Sequence, residues 1–524
     1  MSAPGQRIAI YDTTLRDGAQ AEGVTFSLVD KVAIARALDE LGVDFIEGGY
    51  PLSNPKDAAF FEEMRTHRLE RARVVAFGNT RRARSSVEDD VGIRALLESG
   101  TEVLAVVGKS WDLHVRDVLR VSGDDNLAMI RDSVAYLKAQ GRLVFFDAEH
   151  FFDGYVRNPD YALATVIAAQ EAGADMVVLC ETNGGMLTEQ VRQIVREVRA
   201  AVDVDLGIHV HDDGGLGVAN SLAAVAEGAS QVQGTINGIG ERCGNADLCV
   251  VIPNLALKMG CDVLVPGAVQ QVTHVSRFVY QVANLNLPQR QPYVGLNAFA
   301  HKGGLHVDAM QKNVLTYEHV TPERVGNERR ILISELSGMA AVALKARKLD
   351  GQLSREATRQ VLEAVQDLEN EGYEFEAAEA SFELLVRRVL GTAREFFRLE
   401  GFRVIVEKRG GDREPISEAT VKLTVDGTTR LTVSEGDGPV HALDGALRAA
   451  LEEFYPQVAD VRLVDYKVRI VNPRAATAAR TCVVIESTDG ERVWGTVGVS
   501  ENIIEASWQA LTDSIQYTLL HHNA

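Results

Sequence analysis

The segment HVHDDGG, residues 209–215, places two imidazoles and two carboxylates within five residues. It follows the run DVDLGI, whose alternation of apolar and polar residues is typical of a β-strand. Side chains two apart on a strand face the same side, so His209 and His211 project together while Val210 faces the other way. Two neutral imidazoles so placed are typical metal ligands that leave positions open for carboxylates and a substrate. We predict that they bind a divalent ion; the alternative is one core histidine and one exposed histidine.

The segment TLRDGAQ supplies residues that could complete such a site. Asp17 would add a carboxylate ligand, and Arg16 beside it would be a permanently charged donor where negative charge develops on a reacting oxygen. Arg16 could equally be an ion-pair partner of Glu47 or Glu149, and the two roles can coexist. Asp212 and Asp213 could accept hydrogen bonds from the imidazoles, or could cap the next helix.

A repeated strand–helix module must position these side chains. Short β-branched apolar runs alternate with helix-period segments rich in alanine and leucine from Arg7 to about Lys258. The eight runs are RIAIYD, FIEGG, RVVAFGN, VLAVVG, RLVFFDAE, DMVVLCETN, LGIHVH and SQVQGTING. This pattern predicts a closed (β/α)8 TIM barrel, with a doubly wound open sheet as the alternative.

Polar residues cluster at the ends of the predicted strands, where barrels of this kind carry their active sites. The residues at these ends are Asp12, Arg16, Asp17, Glu47, Asp147, Glu149, Glu181, Thr182, Asn183, His209, His211, Asn237, Glu241, Arg242 and Asn245. We therefore expect them to face one barrel mouth.

Two glycine-rich segments have open interpretations. The glycines of NGIGERCGN could bind the phosphate of a cosubstrate or could form a tight turn. The segment HKGGLH could swing a general base over the barrel mouth, or its histidines could be ordinary surface residues.

The sequence beyond the barrel changes character twice. Helical patterns follow the linker-like NLNLPQRQP, and from about Gly401 three strands and a helix occur twice, which predicts a compact α+β domain. We place a catalytic barrel at residues 1–275, a linker and helical region carrying HKGGLH at 276–400, and a C-terminal regulatory domain with two βββα units at 401–524.

Bulk composition narrows the class of protein. The chain has 524 residues, a formal net charge of −20 and five cysteines, with no CxxC pair. The charge disfavours nucleic acid and anionic membrane surfaces, and no window has the length of apolar sequence that a membrane span needs. The cysteine usage and the absence of a leader segment predict a soluble cytoplasmic protein.

Four motifs in order resemble one enzyme family over essentially the whole chain. YDTTLRDGAQ, HVHDDGGLGVANSLAAV, GERCGNADL and AHKGGLHVDA are similar to the metal-dependent acyltransferases that include 2-isopropylmalate, homocitrate and citramalate synthases. Three further stretches look most like the citramalate branch: AEGVTFSLVDKVAIARALDELGVDFIEGGYPLSNPKD, VGNERRILISELSG and SFELLVRR.

The resemblance implies a Claisen-type condensation of acetyl-CoA with pyruvate, giving (R)-citramalate and CoA on a pyruvate route to isoleucine. It implies a magnesium, manganese or zinc ion held by Asp17, His209 and His211, with Asn245 at or beside it. Arg16 would stabilise the alkoxide and Thr182 would hold the oxo acid's carboxylate, while Glu47 is assigned to the same substrate site.

The resemblance also implies the proton-transfer residues and the assembly. His306 and Glu149 would remove the methyl proton of acetyl-CoA, and Tyr317 would assist in cleaving the thioester. The chain would form a homodimer, and its C-terminal domain would bind isoleucine as a feedback inhibitor.

Three alternative functions share these features. The oxo acid could be that of a 2-isopropylmalate or homocitrate synthase, because pocket volume cannot be derived from the sequence. A metal-dependent aldolase or lyase would use the same Arg16, Asp17, His209 and His211. A non-catalytic amino-acid sensor would be expected to have lost a ligand or base, and none is lost here.

Overall fold

The computed structural model describes residues 5–332, 342–343, 345, 353–408, 410, 414–471, 479–490 and 492–522. These form two compact units. The first comprises Met1–Phe299 and Val320–Glu328, and the second comprises Ala300–His319 and Arg329–Ala524. Residues 333–338 of the stretch VGNERRILISELSG lie outside the described residues.

The first unit is built on a closed barrel of eight parallel strands in the order of the sequence. The strands are β1 (Ala9–Asp12), β2 (Phe45–Gly49), β3 (Arg73–Asn79), β4 (Val103–Lys109), β5 (Leu143–Glu149), β6 (Met176–Glu181), β7 (Asp205–Val210) and β8 (Gln231–Gly234). Pairing of β1 with β8 closes the sheet. The predicted TIM barrel is confirmed: six of its strands lie within the apolar runs, and β4 and β7 each extend one residue beyond theirs.

Helices follow the strands and cover the barrel. They are α1 (Leu28–Leu41), α2 (Pro55–Met64), α3 (Val91–Glu98), α4 (Asp112–His114), α5 (Gly123–Ala139), α6 (Phe151–Arg157), α7 (Pro159–Glu171), α8 (Thr188–Ala201), α9 (Gly217–Ala226), α10 (Leu248–Asn254) and α11 (Val272–Val282). Ser27 and Ser122 begin α1 and α5 with reciprocal capping boxes, which satisfy backbone N–H groups that a helix start leaves unpaired.

The barrel interior changes from apolar to polar toward the carboxyl ends of its strands. On β5, Phe145 lies in an apolar interior cluster with Val103 and Val178. The next inward-facing residue of the same strand is Asp147, which is 4% exposed. Along the inward-facing side of the strand, the packed apolar core is therefore followed by polar residues at the barrel mouth.

In its described residues, the second unit contains two short paired strands, three helices and two βββα motifs. Its elements are β9 (Ala300–His301), α12 (Gly304–Lys312), β10 (Arg330–Ile331), α13 (Arg355–Glu371), α14 (Glu379–Val389), β11 (Arg398–Glu407), β12 (Ile416–Val425), β13 (Thr428–Gly436), α15 (Pro439–Leu451), β14 (Arg462–Ile470), β15 (Thr481–Thr488), β16 (Val493–Ser500) and α16 (Ile503–His522). Strands β11–β13 and β14–β16 form two antiparallel sheets, which confirms the predicted βββα repeat.

Helix α14 belongs physically to the C-terminal domain. Ser381 donates to Asp513 of α16 at 2.8 Å and accepts from the backbone N–H of Val497 in β16 at 3.0 Å. Buried hydrogen bonds of this kind are costly to leave unmade, so this helix and the two elements it contacts stabilise one another.

No helix in the described part of the chain is long and apolar enough to cross a membrane.

Candidate functional site

The structure brings Asp17, His209 and His211 together at the barrel mouth. Nε2 of His209 lies 3.3 Å from Oδ2 of Asp17, and Nε2 of His211 lies 4.0 Å from the same oxygen. One ligand atom from each residue lies within 4.8 Å of the others, and all three residues are buried. This is the one such group of three or more potential metal-binding residues found among the described residues.

Two of the three side chains, Asp17 and His211, have the protonation states that metal ligands need. Burial alone would raise the pKa of Asp17, but Arg16 and a hydrogen bond from His209 outweigh it and hold that pKa well below its usual range. Burial, reinforced by His209, lowers the pKa of His211 to about 4. Asp17 is therefore ionised and His211 neutral near pH 7, which suits a divalent ion.

A glutamine that the sequence analysis missed orients His209. Nδ1 of His209 lies 3.2 Å from Oε1 of Gln233, an inward-facing residue of β8. An ion bound by Asp17 would replace the hydrogen bond from His209; Nδ1 would then carry the proton and donate to Oε1 of Gln233, leaving the Nε2 lone pair for the ion. The only available signal was the inward register of Gln233, because it lies 24 residues along the chain.

The two aspartates after the histidines organise the surrounding loops. Asp212 accepts from the backbone N–H of Gly217, where α9 begins, at 2.6 Å. Asp213 accepts two hydrogen bonds from Arg242, at 2.8 and 2.9 Å. Of the two interpretations left open for this pair, capping therefore describes Asp212, while Asp213 ties the β7 loop to the β8 loop.

Asn245 lies directly beside the metal-ligand group. It forms an isolated β-bridge with His211 and is 2% exposed. Its Oδ1 and Nδ2 and the Nδ1 of His211 are buried atoms with no hydrogen-bond partner in the described part of the chain. Such groups are costly in a folded protein unless a ligand, ion or water satisfies them.

These observations make the donor set fit a divalent ion. A carboxylate, two imidazoles and an amide oxygen suit magnesium, manganese or zinc, and the buried unpartnered atoms adjoin the place where an ion would bind.

Arg16 is held rigidly beside the metal-ligand group. Its Nε donates to Oε2 of Glu47 at 2.7 Å, while Oε1 of Glu47 accepts from the hydroxyl of Tyr11 at 2.9 Å. The guanidinium also lies over the ring of Phe77, 4.2 Å from its centroid. Burial would lower the pKa of Arg16, but Glu47 and Asp17 outweigh it and raise that pKa, so the cation is permanent.

Glu47 therefore acts on the site through Arg16, whose side chain it holds in place. Both of its carboxylate oxygens have protein partners, its side chain is fully buried, and it does not line the cavity at the mouth. Of the two roles open for Arg16, the ion pair with Glu47 is present, whereas Glu149 pairs with a different cation, Lys109.

One cavity at the barrel mouth joins most of the expected site residues. It has a volume of about 80 Å³. Its lining residues are Arg16, Asp17, Phe77, Val107, Asp147, Glu149, Cys180, Thr182, His209 and His211. Four of these lining residues were not expected from the sequence to contact a substrate: Phe77, Val107, Asp147 and Cys180. Burial, reinforced by Glu47, raises the pKa of Asp147 to about 7.

A hydrogen bond from the backbone of His150 leaves the hydroxyl of Thr182 free to donate into the cavity. The backbone N–H of His150 donates to Oγ1 of Thr182 at 2.9 Å, which leaves the hydroxyl hydrogen of Thr182 available as a donor. His150 adopts φ = 56°, a left-handed conformation that few non-glycine residues adopt. Backbone strain therefore lies beside Glu149, in a place typical of functional sites.

The loop after β8 uses its glycines for a tight turn. Gly244 has φ = 93°, and a Cβ atom there would lie 1.9 Å from the carbonyl oxygen of Gly238. This loop brings Asn245 to His211, which is a structural reason for glycine in GERCGN.

His306 and Tyr317 belong to the second unit. Their rings stack with centroids 4.0 Å apart and planes 21° apart. Next to Tyr317, Glu318 is almost completely buried and accepts two hydrogen bonds from Arg329, at 2.5 and 2.6 Å. His301, the first histidine of HKGGLH, has Nε2 3.4 Å from Oε1 of Glu318. The two histidines of this motif thus have different surroundings.

A closed parallel barrel with these candidate metal ligands at the carboxyl ends of its strands defines the class as a barrel enzyme with a candidate metal site. Comparisons with known proteins agree. Residues 7–279 match the HMGL-like family, residues 293–373 match a homocitrate synthase post-HMGL domain-like family, and residues 376–519 match the LeuA allosteric (dimerisation) domain.

Full-length relatives define the branch. The (R)-citramalate synthase of Geobacter sulfurreducens is 52% identical over 98% of this chain and 97% of the relative. That of Aquifex aeolicus is 51% identical over 98% of each chain. A probable 2-isopropylmalate synthase of Methanopyrus kandleri is 34% identical over 97% of this chain and 98% of the relative. The chain belongs to the HMGL-like family of acyl-transferring synthases and, within it, to the (R)-citramalate synthases.

Proposed function

We propose that the chain condenses acetyl-CoA with pyruvate and hydrolyses the thioester, giving (R)-citramalate and CoA. The observation that carries the proposal is the single cavity lined by Arg16, Asp17, Glu149, Thr182, His209 and His211. A cation, a candidate base, a hydroxyl donor and the metal-ligand group all face one small volume, as a carbon–carbon bond-forming site requires.

The 2-oxo acid binds through its polar end. Thr182 donates its free hydroxyl hydrogen to the substrate carboxylate, because its oxygen already accepts from His150. A divalent ion held by Asp17, His209 and His211, with Asn245 beside it, would draw electron density from the ketone oxygen and make the carbonyl carbon electrophilic. Magnesium, manganese and zinc all suit the donor set.

Arg16 stabilises the charge that develops on the ketone oxygen as the new bond forms. Its Nε is engaged by Glu47 and its plane rests on Phe77, so its Nη groups are held in place before the reaction. Such preorganised donors need little rearrangement as the transition state forms. Glu47 acts through Arg16 and supports substrate binding indirectly.

Glu149 accepts a proton from the methyl group of acetyl-CoA, and the electron pair of the broken C–H bond forms the new bond to the ketone carbon. We assign the remaining proton transfers, including activation of the hydrolytic water, to His306 and Tyr317 of the second unit. The family resemblance and the stacking of the two rings support this assignment.

Selectivity for pyruvate rests on the apolar and acidic walls of the cavity. Phe77 and Val107 limit its volume, and a longer side chain on the oxo acid would also approach the buried carboxyl of Asp147. One methylene is worth only about 1–3 kcal/mol in such a pocket, so discrimination is finite.

The assembly and its regulation complete the proposal. The match of residues 376–519 to an allosteric dimerisation domain supports a homodimer that isoleucine inhibits through its C-terminal domains. The similarity to (R)-citramalate synthases supports a place on a pyruvate route to isoleucine. None of the five cysteines forms a disulfide in the structure, which supports a reducing, cytoplasmic location.

The deciding experiment measures free-thiol release from acetyl-CoA by the purified chain, with magnesium or manganese. Pyruvate, 2-oxoisovalerate and 2-oxoglutarate are compared with and without a chelator. Release with pyruvate that the chelator stops is the expected result. Release only with one of the longer oxo acids would make the chain a 2-isopropylmalate or homocitrate synthase. No release with any of them would favour lyase or sensor functions.

A further inference from the structure

Lys109 is the cation that faces the candidate base. It ends β4, directly opposite Glu149 at the end of β5 in the pairing of these parallel strands. The ammonium of Lys109 contacts Oε2 of Glu149, and both side chains are about one-quarter exposed. The family resemblance and the four sequence motifs assign no role to Lys109.

The backbone around this ion pair is held on several sides. The backbone N–H of Ser110 donates to the carbonyl of Glu149 at 3.0 Å, and the side-chain amide of Asn126 donates to the carbonyl of Lys109 at 2.9 Å. The Ser110 hydroxyl in turn accepts from Thr165 at 2.8 Å. The backbone of Lys109 and that of Glu149 are therefore held in place by hydrogen bonds. The ion pair then restricts the two side chains.

The charges around Glu149 explain why a cation is needed there. Asp17 and Asp147 are carboxyl groups that line the same cavity, while Arg16 is engaged by Glu47 and Asp17. Lys109 is the cation in direct contact with Glu149. Without it, repulsion from the other carboxylates would favour rotation of the Glu149 side chain away from the cavity.

We propose that Lys109 is the positioning residue of the proton-abstraction step: by binding Oε2 of Glu149, it leaves Oε1 directed into the cavity as the oxygen that takes the proton. This inference rests on the proposed function. In the step, the methyl C–H bond of the thioester breaks, the O–H bond on Oε1 forms, and the electron pair stays on the carbon that attacks the ketone.

The test compares three variants of the full chain. Lys109→Met removes the charge and keeps a similar length, and Lys109→Arg keeps a cation. Lys138→Met is the matched control, because Lys138 pairs with Asp175 at 2.7 Å with similar exposure, before β6 begins and away from the cavity. Each variant is assayed for thiol release with saturating and limiting pyruvate.

A misplaced base slows the chemical step and leaves substrate binding intact. We expect kcat of Lys109→Met to fall by about 10- to 100-fold, with KM for pyruvate changed by less than about 3-fold. Lys109→Arg should recover most of the activity, and Lys138→Met should stay within about 2-fold of the parent chain. Trideuterated acetyl-CoA should slow Lys109→Met, because removal of the methyl proton then limits its rate.

Several results would overturn the inference. These are an unchanged kcat in Lys109→Met, a loss that appears in KM instead, the absence of a deuterium effect in that variant, or an equal loss in Lys138→Met. If the parent chain turns over a different oxo acid, the same comparison is made with that acid.

A parent chain with no activity on any of the three oxo acids would contradict the proposed function. Crystal structures of the parent and of Lys109→Met then decide the positioning role by themselves. A Glu149 side chain that leaves the cavity in the variant supports it, and one that keeps its position refutes it.

Discussion

At the scale of single residues, His209 and His211 show how neighbouring groups give two identical side chains different pKa values. Burial lowers the pKa of both, but Asp17 and its hydrogen bond outweigh this for His209 and raise its pKa, whereas His211 has its pKa lowered to about 4. Nδ1 of His209 lies beside Gln233, whereas Nδ1 of His211 is buried and has no hydrogen-bond partner among the described residues. The pair is asymmetric although both residues lie on the same strand face.

Replacing His211 tests the metal-ligand assignment. His211→Ala should lower metal-dependent turnover by at least about 100-fold, because a lost ligand removes several kcal/mol of charge stabilisation. Bound metal should fall with it, while circular dichroism stays unchanged. His67→Ala, at a partly exposed histidine after α2, is the control. Normal turnover in His211→Ala would remove this residue from the site.

The raised pKa of Asp12 predicts how the free energy of unfolding depends on pH. It is fully buried, and burial raises its pKa to about 7 although it accepts two hydrogen bonds from Thr14. Because the folded pKa exceeds the unfolded value, the folded chain binds a proton that the unfolded chain releases between about pH 4 and 7. This contribution to stability is complete below about pH 4 and is lost as the pH rises through 7.

Asp12→Asn should therefore change that dependence. The variant keeps an acceptor for the backbone of Thr14 and removes the titration. Its unfolding free energy relative to the parent should rise by up to about 4 kcal/mol between pH 4 and pH 8, the equivalent of a shift of about 3 pKa units. Denaturant unfolding at several pH values measures the difference. Parallel curves for the two chains would refute the assignment.

At the scale of elements, the close packing of α6 against the end of β4 positions the candidate base. Helix α6 begins just after Glu149, and a Cβ atom at Gly154 would lie 2.3 Å from the carbonyl oxygen of Ser110. The segment after β4 and the segment after β5 are therefore held together at a point where only glycine fits. Side chains of both strands, Lys109 and Glu149, depend on this contact.

Gly154→Ala tests the contact between these elements. The added methyl should displace α6 and destabilise the chain by about 1–3 kcal/mol, the usual cost of overpacking, and kcat should fall as Glu149 moves. Gly185→Ala is the control, because a Cβ atom there has no neighbour within 4 Å. Thermal unfolding and thiol release measure the two effects. Equal behaviour of the two variants would show that the packing is not limiting.

At the scale of the whole chain, catalysis and regulation are assigned to different segments. The metal-ligand group and the cavity lie in the first unit, and the two βββα motifs lie in the second. Removing the chain after Gly401 is not a clean test of regulation. It would take away α16 and β16, which hold Ser381 of α14 through buried hydrogen bonds.

Isoleucine should therefore be tested on the full chain. We expect it to inhibit thiol release without being displaced by excess pyruvate, because we propose that it binds the C-terminal domain and not the cavity. A ligand that binds only the folded state stabilises it by RT ln(1 + [L]/Kd), so isoleucine should also raise Tm. At 100 times Kd the free energy of unfolding should increase by about 2.7 kcal/mol. Competition with pyruvate, or no effect on either measurement, would contradict the regulatory proposal.

Most of the architecture could be predicted from the sequence because it depends on local periodicity. The eight apolar runs contain the barrel strands to within one residue, and the βββα repeats are present. His209 and His211 were expected on one strand face, and their ring centroids lie 5.2 Å apart. The exact element ends differ by a few residues, since capping and pairing decide where a strand or helix stops.

The sequence by itself determined the barrel, the metal-ligand spacing and, through four motifs, the family. Only the tertiary structure decided which groups support the reacting side chains: Gln233 for His209, Glu47 and Tyr11 for Arg16, and Lys109 for Glu149. The direct contacts of Gln233, Glu47 and Lys109 join segments of neighbouring strands that lie 24 to 40 residues apart along the chain. Their contacts depend on strand register and barrel closure, which bring together side chains whose spacing in the sequence has no fixed period.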